Sequence, residues 1–318
     1  MKVFKIKFFE NRKIYFGISI GIMLIGLIFN VIFGTQLDIQ FSGGAMIKYS
    51  YTGSVQQGEA ESIVRNLTKK DVTVRVLENV KSADGSATKN NLSISFAGSS
   101  SISVDEQQAI VKALTAKYPN AGFQVIESSS VNPTMGRTFF VKCLAAVAIA
   151  FLLLLIYIAF RFQKIGGMPA GVMAIIALLH DVAMVYFTFI IFQIPLNDNF
   201  IAVVLTILGY SLNDTIIIYD RIRENKRLMG PKTSYGDLVD TSINQTFTRS
   251  LYTAGCTFAT VLIVFIVGQI FGLASVTTFA LPMMVGVTTG CYSSVCIAGP
   301  LYVMWENHKA AQKVSEAK

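Results

Sequence analysis

Six stretches of this 318-residue chain run apolar for about 20 residues or more, the length a helix needs to cross a bilayer. They are Ile14 to Gly34, Phe139 to Phe160, Met168 to Phe192, Phe200 to Tyr219, Leu251 to Phe271 and Thr277 to Trp305. In hydrocarbon a segment must satisfy its own backbone polar groups, so runs of this kind fold as helices. The chain is 53% hydrophobic and only 14% charged, with mean hydropathy +0.54. Soluble domains carry about a quarter charged residues, so an ordinary soluble fold is excluded. The first stretch has a basic start at Lys2, Lys5, Lys7, Arg12 and Lys13. Its apolar run is longer than the roughly 7–15 residues of a signal peptide, and no A-x-A-like site follows, so a retained anchor is expected.

Orientation follows from Lys and Arg in short flanking segments. The tail before the first span is basic, as are the loops after the second (Arg161, Lys164) and fourth spans (Arg221, Arg223, Lys226, Arg227, Lys232). Lys309, Lys313 and Lys318 lie beyond the sixth, whereas Gln193 to Asn199 contains no Lys or Arg. Both termini are therefore expected in the cytoplasm. Residues 1–34 read as a basic tail plus helix 1, 35–138 as an extracytoplasmic domain, 139–305 as helices 2–6 with a cytoplasmic loop at 220–248, and 306–318 as a cytoplasmic tail. The multi-pass protein would reside in a bacterial cell membrane. Of the 27 basic and 19 acidic residues, ten and nine fall between Thr35 and Arg137. The formal net charge of +8 thus belongs mainly to the membrane part and its tails, and nucleic-acid binding is not expected.

The segment from Thr35 to Arg137 alternates between two periodicities. AMIKYSY, VTVRVLENV, LSISFAG and FQVIES alternate at period 2 as strands do, with Val72, Val74 and Val76 inward. EAESIVRNLTK and DEQQAIVKALTAKY carry apolar residues at helical spacing: Ile63, Val64 and Leu67 in one, Ile110, Val111 and Leu114 in the other. With SADGSATKN as a turn, the order is β-α-β-β-α-β, so an α+β ferredoxin-like domain is expected between helices 1 and 2. Within the cytoplasmic loop, Ser234-x-x-Asp237 is a capping pattern, and Val239, Ile243 and Phe247 are four apart. A short amphipathic helix along the inner membrane surface is expected there, feeding the fifth span.

No GxxxxGK[ST] occurs, and no nucleophile, base or metal set is present, so neither enzymatic activity nor a cofactor is expected. Cys143, Cys256, Cys291 and Cys296 lie in apolar segments without CxxC spacing, which reads as helix packing. Small-xxx-small pairs at Gly17/Gly21, Gly167/Gly171 and Gly286/Gly290 permit close helix approach, within the chain or to another subunit.

Ionisable residues inside spans are costly and mark function. Asp214 lies within the fourth span, and Thr206, Tyr210, Asn213 and Asp214 follow three- and four-residue spacing as one polar stripe. That stripe suits either a proton-exchanging carboxylate or an interhelical hydrogen bond. Arg249 opens the fifth span, where it either snorkels to the interface or turns toward Asp214 as a charge partner. His180 and Asp181, mid-way along the third span, are either a packed pair or an extension of a relay.

GYSLNDTIIIYDRIREN (Gly209 to Asn225) resembles the SecF signature of the SecD/SecF family, within the resistance–nodulation–division superfamily of proton-driven transporters. FSGG (Phe41 to Gly44), LLHD (Leu178 to Asp181), INQTFTRSL (Ile243 to Leu251) and the six-span layout agree with it. The resemblance implies a partner, SecD, and a place beside the SecYEG translocon. There the pair would use the proton motive force to draw an unfolded secretory polypeptide across the membrane. It further implies that Asp214 passes protons and that Arg249 gates it, with Asn213 beside them. Tyr210, Thr206, His180 and Asp181 are supporting polar residues without an implied role, and Gly43 and Gly44 form a structural turn. The family pattern is Asp-Phe-x-Gly-Gly, whereas Gln40 precedes Phe41 here and the acid stands at Asp38. The family's proton path also needs a carboxylate from SecD, so this polypeptide alone would not be a complete pump. The competing readings are half of a proton-driven small-molecule or lipid exporter, and a non-conducting scaffold for the secretion channel.

Overall fold

The computed structural model describes residues 6–70, 72–80, 89–97, 102–230, 233–271 and 273–316. Most of the turn SADGSATKN, and Lys2, Lys5, Lys232 and Lys318, lie outside the described residues. Six helices are long and apolar enough to cross a membrane. They are α1 (Arg12–Phe33), α5 (Pro133–Arg161), α6 (Gly167–Ile191), α7 (Asp198–Leu228), α8 (Tyr235–Ile270) and the continuous pair α9 (Ala274–Ser293) and α10 (Gly299–Glu316). A wide π turn at Ser294–Ala298 joins α9 to α10. Pro300 follows it, and a proline lacks the N–H that the α-helical bond to Cys296 would need.

The spans are not equivalent. Just over half of the most apolar stretch of α6 and of α7 is buried (56% each), and 61% in the α9–α10 pair. The values for α1, α5 and α8 are 11%, 6% and 11%. The first three therefore form the interior, where α9 packs on both α6 and α7. The outer three present apolar faces that only lipid or another chain would cover. Two of the three small-residue pairs serve contacts within the chain. A Cβ on Gly286 would stand 2.6 Å from Ile207 Cγ1, and one on Gly290 3.0 Å from Ser211 Cβ, so α9 and α7 meet nearly backbone to backbone. A Cβ on Gly167 would meet the Ala159 carbonyl oxygen, whereas Gly17 and Gly21 face open space.

Between α1 and α5 the chain forms a smaller unit. It runs from the four-residue α2 (Ile39–Ser42) through β1 (Gly44–Tyr51), α3 (Gln57–Thr68), β2 (Val72–Val80), β3 (Lys89–Ala97) and α4 (Val104–Lys117) to β4 (Gln124–Val131). The sheet is antiparallel at each pairing, in the order β2-β3-β1-β4. Ile47, Tyr49, Val72, Val74, Leu92, Ile94 and Phe96 form one buried face under Ala60 and Val64 of α3 and Ile110 and Leu114 of α4. Alternation at period 2 places these residues on the same side of the pleat. Leu67, expected inward, is 45% exposed because it lies in the last turn of α3, at the edge of the covered face.

The unit joins the bundle through the Phe41–Gly44 turn. Gly43 and Gly44 take φ +71° and +142°, which side-chain-bearing residues rarely adopt. A Cβ on Gly43 would strike Pro133 Cα at the start of α5. Phe41 is buried against Phe139 and Phe140. Asp38 caps α2 by accepting the Gln40 N–H at 3.1 Å. The carboxylate displaced from the family pattern thus starts this turn. Successive spans cross the bundle in alternation, which puts the start of α1 and the end of α10 together at the end opposite the sheet.

The expected connection at 220–248 holds the expected amphipathic segment as a helix, but one continuous with the fifth span rather than a separate short element. α7 continues to Leu228, and α8 begins at Tyr235, so the amphipathic segment and the fifth span are one 36-residue helix. No proline interrupts Tyr235–Ile270, so nothing forces a break between the two. Ser234 caps this helix as its pattern predicts, accepting the Asp237 N–H at 3.1 Å. The arm before α1 lies on α8: Asn244 exchanges hydrogen bonds with the Ile6 backbone at 3.0 and 2.7 Å, and the Phe9 N–H donates to Asp240 at 2.9 Å.

Candidate functional site

The face of α7 turned toward α6 and α9 carries Ser211, Asp214, Thr215 and Ile218, all buried. Asp214 is 2% exposed. The expected stripe of Thr206, Tyr210, Asn213 and Asp214 does not hold together. Thr206 and Asn213 are exposed and Tyr210 is half-buried, because consecutive helical residues point about 100° apart and Asn213 falls on the outer face. Thr206 only donates back to the Ala202 carbonyl, at 2.7 Å.

Two buried carboxylates sit beside this face, and their surroundings differ. Asp181 on α6 is fully buried, and its Oδ2 accepts from Ser211 of α7 and Ser293 of α9, each at 2.7 Å. Its Oδ1 lies 3.2 Å from His180 Nδ1. Beside it, Thr215 and Ser294 hydroxyls meet at 2.9 Å, and Ser294 donates to the Ser211 carbonyl at 3.1 Å. Three interior spans are thus tied at one carboxylate. The His180–Asp181 pair is thus packed in the interior and joined by hydroxyls from two other helices.

Asp214 is different. One turn along α7 from Ser211, its Oδ2 is buried and has no hydrogen-bond partner. Ser250 of α8 is its nearest side-chain donor, close enough to interact, but the Ser250 hydroxyl and Asp214 Oδ2 do not close a hydrogen bond of good geometry in this arrangement. Arg249 is close enough to act on Asp214 through its charge but forms no ion pair with it. Its side chain is exposed and lines a cleft at the sheet-distal end of the bundle. It lies well inside α8 rather than at the start of the helix, since α8 begins at Tyr235. A saturated buried carboxylate locks helices together, whereas an unsaturated one retains capacity to take up a proton or a new donor.

Sequence reasoning named Asp214, Arg249, His180 and Asp181 but missed Ser211, Thr215, Ser250, Ser293 and Ser294. In apolar spans these hydroxyls read as small packing residues. The signal that was available is the spacing of Ser211, three residues before Asp214 on the same face. The cysteines are free, and no metal-binding group of three or more His, Cys, Asp or Glu exists among the described residues.

Fold and site together define a multi-span membrane protein with an α+β unit between its first two spans and an unsatisfied acid in its interior. Residues 110–308 match the family described as "Protein export membrane protein SecD/SecF, C-terminal". The protein translocase subunit SecF of Sebaldella termitidis is 31% identical over 97% of this chain and 94% of its own length. The translocase subunit SecDF of Bacillus subtilis is 34% identical over 95% of this chain, which spans 38% of that longer protein. A crystal structure of SecDF from Thermus thermophilus, described as a translocon-associated membrane protein, superposes with TM-score 0.77 at 26% identity. It covers 95% of this chain, which spans 39% of that one. The chain belongs to the SecD/SecF family of protein-export membrane proteins.

Proposed function

We propose that this chain is the SecF-type half of a proton-driven accessory to protein export, working with a SecD-type half. Its relatives are translocase subunits, and in SecDF proteins a matching segment occupies about two-fifths of one longer polypeptide. The thinly buried spans α1, α5 and α8 leave ample surface for that second half. In this reading the sheet unit, with its strand order and two helices on one face, is a ferredoxin-like module outside the cytoplasm. Both termini and the α7–α8 connection lie in the cytoplasm, as the basic flanks favour.

One observation carries the proton-coupling reading: the buried, unpartnered oxygen of Asp214. A carboxylate so placed in an apolar helix is costly unless its charge changes or a partner arrives. Protonation removes the charge, and approach of Arg249 stabilises it. The two arrangements differ in the relation of α7 to α8, and a proton can bias a conformational equilibrium only through such a difference. The sheet unit, fixed to α5 by the Gly43–Pro133 contact, would follow the helices and hold or release a secreted polypeptide beside the SecYEG channel. Asn213 is assigned to the partner-facing side of the pathway, since it is exposed. Gradient-dependent export by Asp214→Asn, which keeps the shape but cannot ionise, tests this. Loss of that export with normal pairing is expected, and export at the unmutated rate excludes the reading.

A further inference from the structure

The cleft that holds Arg249 has a volume of about 860 Å³ and lies at the bundle end opposite the sheet. Six cations line it: Lys164, Arg221, Arg223, Lys226, Arg227 and Arg249. Its two acids are already matched. Glu224 pairs with Arg221 at 2.6 Å, and Asp220 with Arg223 at 2.9 Å and with Arg161 at 3.1 Å. Among the described residues, Lys164, Lys226, Arg227 and Arg249 have no carboxylate partner.

Basic residues at a span end are ordinary for orientation, and the C-terminal turn of α7 favours Lys226 and Arg227 electrostatically. Neither reason requires four unmatched cations to surround one concavity, where they repel one another unless an anion enters. What lies beside the cleft selects the anion. Phe160 near Lys164 is 72% exposed, and Tyr252, one turn along α8 from Arg249, is 71% exposed. A ligand filling this place presents phosphate to the cations and hydrocarbon to the apolar stretches of α7 and α8 that continue from Ile217 and Arg249. Guanidinium groups suit phosphate oxygens through paired N–H donors. We propose that the cleft binds the headgroup of an anionic phospholipid through its phosphate. This goes beyond the export reading, and the test below measures binding alone, so either idea fails without the other.

Native mass spectrometry of the delipidated full chain, titrated with phosphatidylglycerol or phosphatidylcholine, tests it. Phosphatidylglycerol is expected to bind at least ~10-fold more tightly, and Lys164→Gln/Lys226→Gln/Arg227→Gln to weaken it roughly 100-fold. Lys69→Gln/Lys112→Gln/Lys142→Gln, an equal loss of charge away from the cleft, is expected to leave it unchanged. Equal loss in both triple variants, or no preference over phosphatidylcholine, overturns the proposal. So does full displacement by millimolar inorganic phosphate, which would mark a free-anion site. On the unmutated chain, a headgroup-photoreactive phosphatidylglycerol is expected to label the segments 220–227 and 246–249. Labelling confined to other segments overturns the proposal even if the triple variant does not fold.

Discussion

Asp214 and Arg249 occupy adjacent helices, one buried at 2% exposure and the other exposed on a cleft, with no ion pair between them. Asp214 stands one turn from Ser211, which donates to Asp181, so an unsatisfied acid lies beside a satisfied one. The second acid anchors the helices against which the first could change state.

The Asp181 anchor is open to direct measurement. Ser293→Ala removes one of its 2.7 Å donors and is expected to cost about 1–2 kcal/mol, in line with interhelical hydrogen bonds in membranes. Asp181→Leu removes the acceptor shared by both serines and His180, leaving the serines their longer bonds to the Gly290 carbonyl at 3.5 and 3.2 Å, and is expected to cost more, roughly 2–4 kcal/mol. Unfolding midpoints of the purified protein check the order. Equal midpoints for Asp181→Leu and the unmutated chain would show that the network does not hold the bundle.

The α7–α9 approach makes a steric claim. Gly290→Ala places a methyl 3.0 Å from Ser211 Cβ and is expected to be mildly destabilising, since Ser211 must shift from Asp181. Gly286→Leu forces larger atoms toward Ile207 and is expected to cost about 1–3 kcal/mol or more. By contrast, Gly17→Leu meets open space and is expected to leave the isolated chain's thermal stability unchanged.

Asp38 gives a pH dependence outside the spans. Burial pushes its carboxyl above the ordinary value of 3.8, opposed by the Gln40 N–H and the charges of Lys48 and Arg75. The folded state therefore holds this proton more tightly than the unfolded chain. The stability from this group is full below pH 3.8 and is lost as pH rises through the raised value. Asp38→Asn keeps an oxygen for the cap but cannot ionise, so its stability relative to the unmutated protein is expected to rise over that window. Parallel pH curves of the unfolding midpoint would contradict this.

Much of the architecture was legible because hydrocarbon and pleated sheets impose strong periodicities. The six spans follow from apolar length, and the strand–helix order around Ile47, Ile94, Ile110 and Leu114 follows from period 2 and period 3.6. Two features were hidden for physical reasons. The helix through Tyr235–Ile270 crosses a change from amphipathic to apolar sequence, which looks like a boundary although the backbone has none. Asn213 and Asp214 read as one polar pair, but a single helical step turns Asn213 outward. The site was legible in its acids and not in its hydroxyls: Ser211, Ser250 and Ser293 show their positions only once four helices, α6 to α9, are placed together.

Asn213 on the outer face leads to a separable effect. Asn213→Leu is expected to leave the unfolding midpoint of the isolated chain unchanged while weakening co-purification with a SecD-type partner at least several-fold. A drop in the chain's own stability, with pairing intact, would place Asn213 in the interior instead.

In the proposed function, proton passage through the Asp214 carboxyl couples the gradient to export. Proton flux into vesicles reconstituted with this chain and its SecD-type half, under an imposed gradient, measures it directly. Asp214→Asn is expected to pair normally and to lower that flux at least ~10-fold, the scale on which losing an essential proton-transfer group acts. Flux at the unmutated rate in Asp214→Asn would contradict it.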